Sequence, residues 1–291
     1  MSENNSQDHQ GRATEAAALA GARRRTPWPL LVVAVLIVIV PFTFWYGTWF
    51  GRTLNDEEIE KNLQEETSAR HVQHALAQLA GRMEEGDEKV KRWYPSLVAL
   101  AGHKEPDVRM TLAWAMGQDN RAEEFRVPLQ QLLRDPEPIV RRNAALALVR
   151  FGDATGRSEL LAMLHPFVVT SPTSGTLTSI LPAGAALKRG AMLARVRDDG
   201  GREQEIRALL PGKIEKVSAA AGSQIEKGSE LLILSPDSQS VWEALRALVL
   251  VGEREDLPAV ERYVQGAAPG MSEEIKKQAA KTVEAIKRKD E

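Results

Sequence analysis

Apolar residues are distributed along this chain in three different ways. Seventeen of the 21 residues in 30–50 are apolar and none is charged. In 71–164 and 240–286, apolar residues recur at the spacing of one buried helix face. Between these stretches, in 166–237, the period falls to about two, and Gly, Pro, Ser and Thr become frequent. The chain is therefore predicted to hold an apolar helix, an array of amphipathic helices and an inserted region of short strands.

The uncharged stretch is long enough to cross a bilayer as a helix. About 20 apolar residues span a hydrocarbon core of roughly 30 Å. We therefore predict a single transmembrane anchor at 27–51. Aromatic side chains near its two ends fit the belts that form at membrane interfaces; they are Trp28, Trp45, Tyr46 and Trp49.

The charges that flank this stretch predict its orientation. Arg23, Arg24 and Arg25 precede it, and acidic residues follow it from Asp56. The positive-inside bias places the polar segment 1–26, predicted to be a disordered tail, in the cytoplasm. For a bacterial protein, the remainder would then be on the periplasmic side of the inner membrane. A cleavable signal peptide is the alternative, but the apolar stretch exceeds the usual length and no small-residue cleavage site follows it.

The helical stretches repeat internally. Segments 140–152 and 240–252 share Ala, Ala, Leu and Gly at the same offsets, and shorter versions occur at 108–117 and 275–283. Further helical patterns lie between them, which gives helix pairs of about 30–35 residues. We therefore expect helix pairs throughout 52–165 and 238–291. An irregular helical bundle is the alternative.

The V-R-x-x-A-A/L pattern, together with a Pro/Asp turn before the helix, resembles HEAT repeats, and most closely the short type found in bacterial proteins. The resemblance covers about 71–165 and 238–289. It implies an α-solenoid whose surface binds other macromolecules and whose motif residues are not catalytic.

The inserted region is also duplicated. Segment 172–180 matches 209–217, and 184–193 matches 222–231. Glycines at the recurring positions suit tight turns between short strands. The pattern predicts a small all-β module at 166–237, so that the fold class is mainly α with a β insertion.

This duplication resembles the barrel-sandwich hybrid of lipoyl and biotinyl domains, which also occurs in membrane-fusion adaptor proteins of efflux pumps. The carriers attach their cofactor to a lysine in the hairpin between the halves. Here that connection lies at 197–205, and no lysine occurs between Gly190 and Gly212. The adaptors insert a long helical hairpin at the same place, whereas this connection has about ten residues. We therefore predict no lipoyl or biotin cofactor and no extended hairpin.

Composition narrows the possible chemistry. The chain has no cysteine and a net charge of −2, which excludes disulfides and thiolate sites and argues against a nucleic-acid binder. His71, His74 and His103 lack further ligands at metal-binding spacing, so we interpret them as exposed polar histidines. No catalytic motif occurs. We predict no enzyme activity, cofactor or metal.

Five residues are candidates for partner binding. Trp93 and Tyr94 form either a core contact or an anchor for a partner, since these residue types dominate interface energetics. Arg109, Arg141 and Arg142 either line an inner surface of the array or make contacts between its repeats.

These features together predict a non-enzymatic, membrane-anchored scaffold that assembles proteins of a respiratory, transport or secretion complex. Its partners would be other proteins and, through one helix, the lipid bilayer. A periplasmic adaptor-like subunit of an efflux or secretion system and a degenerate carrier-like protein are the alternatives.

Overall fold

The computed structural model of the 291-residue chain describes residues 28–45, 52–64, 67–266 and 271–289. The chain divides into two compact units, Met1–Thr53 and Leu54–Glu291. The mainly helical class with an antiparallel β region, predicted from the periodicities, is confirmed.

The first unit contains helix α1 (Trp28–Trp45), which includes Pro41. In the part of the chain that the structure describes, no helix combines the length and the hydropathy needed to span a membrane. The transmembrane prediction for 27–51 is thus not supported. The predicted tail at 1–26 lies outside the described residues, and so do five residues used to define the anchor, namely Arg23, Arg24, Arg25, Tyr46 and Trp49.

The second unit contains ten described α-helices, seven before the β region and three after it. The first seven are α2 (Asp56–Asn62), α3 (Ala69–Glu84), α4 (Tyr94–Ala99), α5 (Pro106–Met116), α6 (Arg126–Leu132), α7 (Pro138–Arg150) and α8 (Arg157–Ala162). The last three are α9 (Ser238–Val251), α10 (Leu257–Val264) and α11 (Glu273–Arg288). Short 3₁₀ turns at Glu88–Trp93, Leu100–Gly102, Glu123–Phe125 and Arg254–Asp256 complete the helical segments.

These helices form two layers. In the inner layer α3 packs on α5, α5 on α7, α7 on α9 and α9 on α11, while α4, α6, α8 and α10 form the outer layer. Proline in the first turn starts α4, α5, α7 and α10, because its missing N–H has no partner at that position anyway. The side chain of Asp237 caps α9, and that of Ser272 caps α11.

The helical core is continuous from one end of the array to the other. One cluster of buried apolar side chains runs from Ile59 to Leu148, and a second runs from Ala145 to Ile286. Leu133 packs against both clusters. The repeats before and after the β region therefore share one stacked core.

The β region consists of eight strands. They are β1 (Phe167–Thr170), β2 (Gly175–Ile180), β3 (Ala186–Leu187), β4 (Met192–Arg197), β5 (Glu203–Arg207), β6 (Gly212–Val217), β7 (Gln224–Ile225) and β8 (Glu230–Pro236). They form two four-stranded antiparallel sheets with the orders β1-β8-β6-β3 and β5-β4-β2-β7. A third apolar cluster, from Val169 to Leu234, fills this β module.

The two copies of the duplicated sequence exchange one short strand each between the two sheets. The series β2-β3-β4 and β6-β7-β8 follow the two copies of the repeat, and each sheet takes its two-residue strand from the other copy. Gly175 has a φ of 146°, and a Cβ there would collide with the carbonyl oxygen of Arg197 on β4. Glycine is therefore required where β2 approaches β4.

The β module lies between two successive helix pairs. It begins five residues after α8 and ends just before Asp237, the cap of α9. Helix α9 then packs against α7 and α8. Away from these junctions, the side chain of Arg189 in the β3–β4 turn forms an ion pair with Asp107 at the start of α5.

Candidate partner-binding groove

A groove crosses three helices of the inner layer. It has a volume of about 140 Å³. Its lining residues come from α5 and the turn after it, from α7 and from α9, and they are Trp114, Gly117, Gln118, Asn143, Leu146, Ala147, Arg150 and Glu243. We call this feature the inner groove.

Small residues and one large aromatic give the inner groove its form. A Cβ at Gly117 would lie 3.0 Å from the Cβ of Ala147, so the end of α5 approaches α7 closely. Three residues earlier, Trp114 is 45% exposed although the residues on either side of it are buried. The close approach of the helices makes a depression, and the indole of Trp114 is one wall of it.

Hydrogen bonds hold the rim of the inner groove. The Gln118 side chain donates to the backbone carbonyl of Trp114 at 2.9 Å and accepts from Arg150 Nη1 at 2.9 Å. Asn120 in turn donates to the backbone carbonyl of Arg150 at 2.8 Å. Among the described residues, none accepts a hydrogen bond from the indole N–H of Trp114. The groove therefore offers an ordered rim and a free donor.

The size of the inner groove indicates what it can hold. Small-molecule and cofactor pockets usually occupy roughly 300–1,000 Å³, whereas this groove has the volume of about one large side chain. An exposed tryptophan beside an arginine is typical of the centre of protein interfaces. The arrangement suits insertion of one side chain from another protein.

Trp93 and Tyr94 lie in the core and away from this groove. They are 3% and 2% exposed. Arg82 and Arg92 stack over the ring of Trp93 at 5.1 and 4.0 Å from its centroid. Neither ring is accessible to a partner, so the anchor interpretation is replaced by the core interpretation.

The hydroxyl of Tyr94 makes a buried hydrogen bond between two parts of the helical array. It donates to Asp119 Oδ2 at 2.7 Å. Burial raises the pKa of Tyr94, and so does the hydrogen bond to Asp119. Burial acts to raise the pKa of Asp119, but hydrogen bonds from Tyr94 and Arg121 outweigh it and hold that pKa below its usual value. The pair joins α4 to the turn that follows α5.

Arg109 and Arg141 occupy equivalent positions on α5 and α7. Arg109 binds both carboxylate oxygens of Asp135 at 2.6 and 2.9 Å and donates to the His103 carbonyl at 2.7 Å. Arg141 binds Glu159 at 2.6 Å and the Asp135 carbonyl at 2.8 Å. Arg109 thus ties one helix pair to the turn before the next, as expected for contacts between repeats, whereas Arg141 joins the two helices of its own pair.

Arg142 is buried at the junction with the β module. Burial lowers the pKa of its guanidinium, whereas the charges of Glu159 and Asp237 raise it. It is not part of the inner groove. None of the five predicted partner-binding residues lines this groove.

The three histidines are separate from one another in their interactions. His71 is exposed and contacts the Ser68 hydroxyl, and His74 contacts Gln78. His103 is 3% exposed, which contradicts its interpretation as an exposed residue. Across the described ranges no group of three His, Asp or Glu side chains could hold a metal ion.

Sequence reasoning did not single out Trp114. It stands inside the repeat segment 108–117, where the helical spacing assigns its neighbours to the buried face. A tryptophan on the opposite side of such a helix is the signal that would have identified it. No local sequence pattern shows that Glu243 lines the inner groove, because the β module separates it from α7 in the sequence.

Two stacked helix layers with repeated arginine–carboxylate contacts define a protein of tandem helix pairs. Residues 94–168 match the family model of HEAT repeats, which confirms the predicted HEAT resemblance for that segment. No curated protein matches the chain. A solved structure described as a single-chain, multi-domain long-chain acyl-CoA carboxylase is similar at 17% identity with a TM-score of 0.24. The match covers 41% of this chain and 12% of that one.

Proposed function

We propose that this chain is a non-enzymatic scaffold that binds a partner protein through the inner groove. The observation that carries the proposal is Trp114, a half-exposed tryptophan on a groove shared by α5, α7 and α9. Three helices position the groove, and hydrogen bonds fix its rim. Such a preformed surface loses little side-chain freedom on binding.

The experiment uses the full chain in native membranes extracted with mild detergent. A photo-crosslinking residue replaces Asn143 at the groove, where the side chain bonds only to the backbone of its own helix, or Gln131 on α6 as the control. We expect one stoichiometric partner to crosslink from position 143 and not from 131. Trp114→Ala should weaken binding of that partner at least about tenfold, as for an interface hot spot.

Leu250→Ala is the matched substitution, because Leu250 is an exposed apolar residue of α9 outside the groove. It should leave the affinity unchanged. Crosslinking that is equal from both positions, or equal losses from the two alanine variants, would refute the proposal. Circular dichroism of both variants checks that the array remains folded.

We also propose that the apolar stretch attaches the chain to a membrane, with its N-terminus cytoplasmic and the second unit on the periplasmic side. The support is the uncharged sequence of 30–50, which extends past the described end of α1, and the three arginines that precede it. Alkaline carbonate should leave the protein in the membrane pellet. Release into the supernatant would contradict attachment by a helix.

We infer that the β module has the barrel-sandwich arrangement of lipoyl-type domains, without their carrier function. The exchange of short strands between its two sheets supports the arrangement. The β4–β5 hairpin, where the carriers have their lysine, instead contains an ion pair between Asp198 and Arg202. An intact mass equal to that of the unmodified chain is the expected result, and a lipoyl or biotinyl adduct would overturn it.

A further inference from the structure

A cavity opens at one side of the β module, between strands β1 and β5. Its volume is about 320 Å³, within the range of ligand sites. Residues 167–170 of β1 and 205–207 of β5 border it, together with Leu209. Because successive side chains of a strand point to opposite faces of the sheet, a cavity bordered by consecutive residues runs along the edges of the two strands. We call it the edge cavity.

Both strands beside the edge cavity are outermost in their sheets. Strand β1 pairs with β8, β5 pairs with β4, and the two are not paired with each other. The outermost strands on the opposite side, β3 and β7, have two residues each, whereas β1 has four and β5 has five. Very short edge strands limit pairing with other chains. The edges beside the cavity lack this protection.

The backbone of β1 presents hydrogen-bonding groups to the edge cavity. Ser171, directly after β1, donates to the Ser229 carbonyl at 2.9 Å and accepts from the Gly228 N–H at 2.8 Å, so its backbone groups point to the β8 side. Backbone groups of successive residues in an antiparallel strand point alternately to its two edges. Those of Val168 and Thr170 therefore point away from β8, and both residues are exposed. Strand β1 thus offers two donors and two acceptors to a further extended strand.

Side chains add apolar contacts and a charge to the edge cavity. Val168 and Leu209 are 45% and 42% exposed. Arg195 and Arg207 both pair with the carboxylate of Glu205, so this group of three side chains carries one excess positive charge. An extended strand with apolar and acidic side chains matches the backbone groups, the apolar contacts and the charge.

We propose that the edge cavity binds an extended segment of a partner protein, in which apolar and acidic residues alternate. The segment adds to β1 as a further strand, which is a common mode of peptide recognition. Its backbone pairs with Val168 and Thr170, an apolar side chain contacts Leu209, and an acidic side chain meets Arg207. This site is separate from the inner groove and does not depend on it.

A second copy of this chain matches the edge cavity less well than a partner protein does. A second copy would have to present its own β1 or β5. Strand β1 contains no acidic residue. Strand β5 contains Glu203 and Glu205, but both already pair with arginines of their own module. The acidic residue that meets Arg207 therefore comes from another protein.

The first test titrates the full chain with a fluorescent heptapeptide of alternating valine and glutamate, followed by fluorescence polarisation. We expect saturable binding and, in hydrogen exchange, added protection of residues 167–171. The same peptide with every backbone nitrogen methylated cannot donate hydrogen bonds and should show no saturable binding. Absence of saturable binding of the first peptide, or equal binding of the two, would overturn the proposal.

Val168→Pro separates backbone pairing from folding. Proline removes an N–H that points away from β8, and proline is tolerated at such a position of an edge strand. We expect about three- to tenfold weaker binding, as for one lost hydrogen bond, while the amides of β8 keep their protection. Val168→Thr retains the N–H and the branched shape and should leave the affinity unchanged. Equal affinities of these two variants would contradict pairing with β1.

Arg207→Gln tests the acidic contact. It should weaken binding of the valine–glutamate peptide up to about fivefold, as for an exposed ion pair, and leave a valine–glutamine peptide unaffected. Arg197→Gln removes an arginine of β4 outside the edge cavity and should have no effect. Equal losses from the two arginine variants would refute the contact. A dimer in sedimentation velocity that Val168→Pro dissociates would assign the edge to a second copy and overturn the proposal.

Discussion

The helical array and the β module are stabilised in different ways. In the array, apolar clusters are joined through Leu133, and arginines such as Arg109 link one helix pair to the next. The β module has its own apolar cluster, and it meets the helices at two chain junctions and at the Arg189–Asp107 ion pair. The array is therefore stabilised by contacts between successive helix pairs, whereas the β module is stabilised by its own apolar core.

This difference indicates how each region responds to damage. A repeat array is stabilised by interfaces between neighbouring repeats, so a local defect also weakens the repeats on either side of it. A module with its own core and few external contacts can open without the rest of the molecule. The array continues past the inserted β module, because α9 packs on α7 and α8 although the module separates it from them in sequence.

The largest expected effect comes from Gly175→Ala in the β module. The new Cβ would collide with the Arg197 carbonyl at a φ that alanine rarely adopts. We expect a loss of about 3 kcal/mol in the free energy of unfolding of the module. Hydrogen exchange should show 166–237 losing protection while the inner-layer helices keep theirs.

Gly81→Ala on α3 is the matched substitution in the array. Nothing lies within 4 Å of its added Cβ, so alanine should stabilise the helix by up to about 1 kcal/mol. If Gly175→Ala instead exposes the array and the module together, the two cores are not independent.

Arg109→Ala is the second test and should damage the array. Asp135 would be left buried with its bidentate partner removed, which costs about 3 kcal/mol. Urea unfolding followed by circular dichroism at 222 nm measures this loss. Arg202→Ala removes an arginine that is 87% exposed in its ion pair, and we expect a change below about 0.5 kcal/mol.

A small effect of Arg109→Ala on stability would return this residue to the partner-binding candidates. A large effect with unchanged β-module exchange would show that the arginine contacts belong to the array alone.

The sequence contains the elements of the fold but not the surfaces built from distant parts. The helix pairs and the duplicated strands are readable because each element repeats its own buried spacing. The inner groove depends on Glu243 of α9 reaching α7 across the β module, and no local pattern encodes that approach. Burial of His103 likewise follows from how the end of α4 packs, since histidine itself is compatible with either environment.

Of the three principal substitutions, Arg189→Ala should have the smallest effect; it removes the ion pair between the module and the array. The partners are 32% and 50% exposed, so the loss of stability should be no more than about 1 kcal/mol. The orientation of the module should change more than its stability, because this pair fixes the β3–β4 turn to α5. Spin labels at Gln131 and Thr176 report that orientation through their distance distribution.

The distribution should broaden in Arg189→Ala and remain narrow in Arg197→Ala, where the lost pair with Glu203 lies within the module. Raising salt from about 0.05 M to about 0.5 M screens exposed charges. It should therefore broaden the wild-type distribution and leave the Arg189→Ala distribution unchanged. A narrow, salt-independent distance distribution in Arg189→Ala would mean that the two covalent junctions alone orient the β module. The array and the module would then differ only in how their apolar cores are packed.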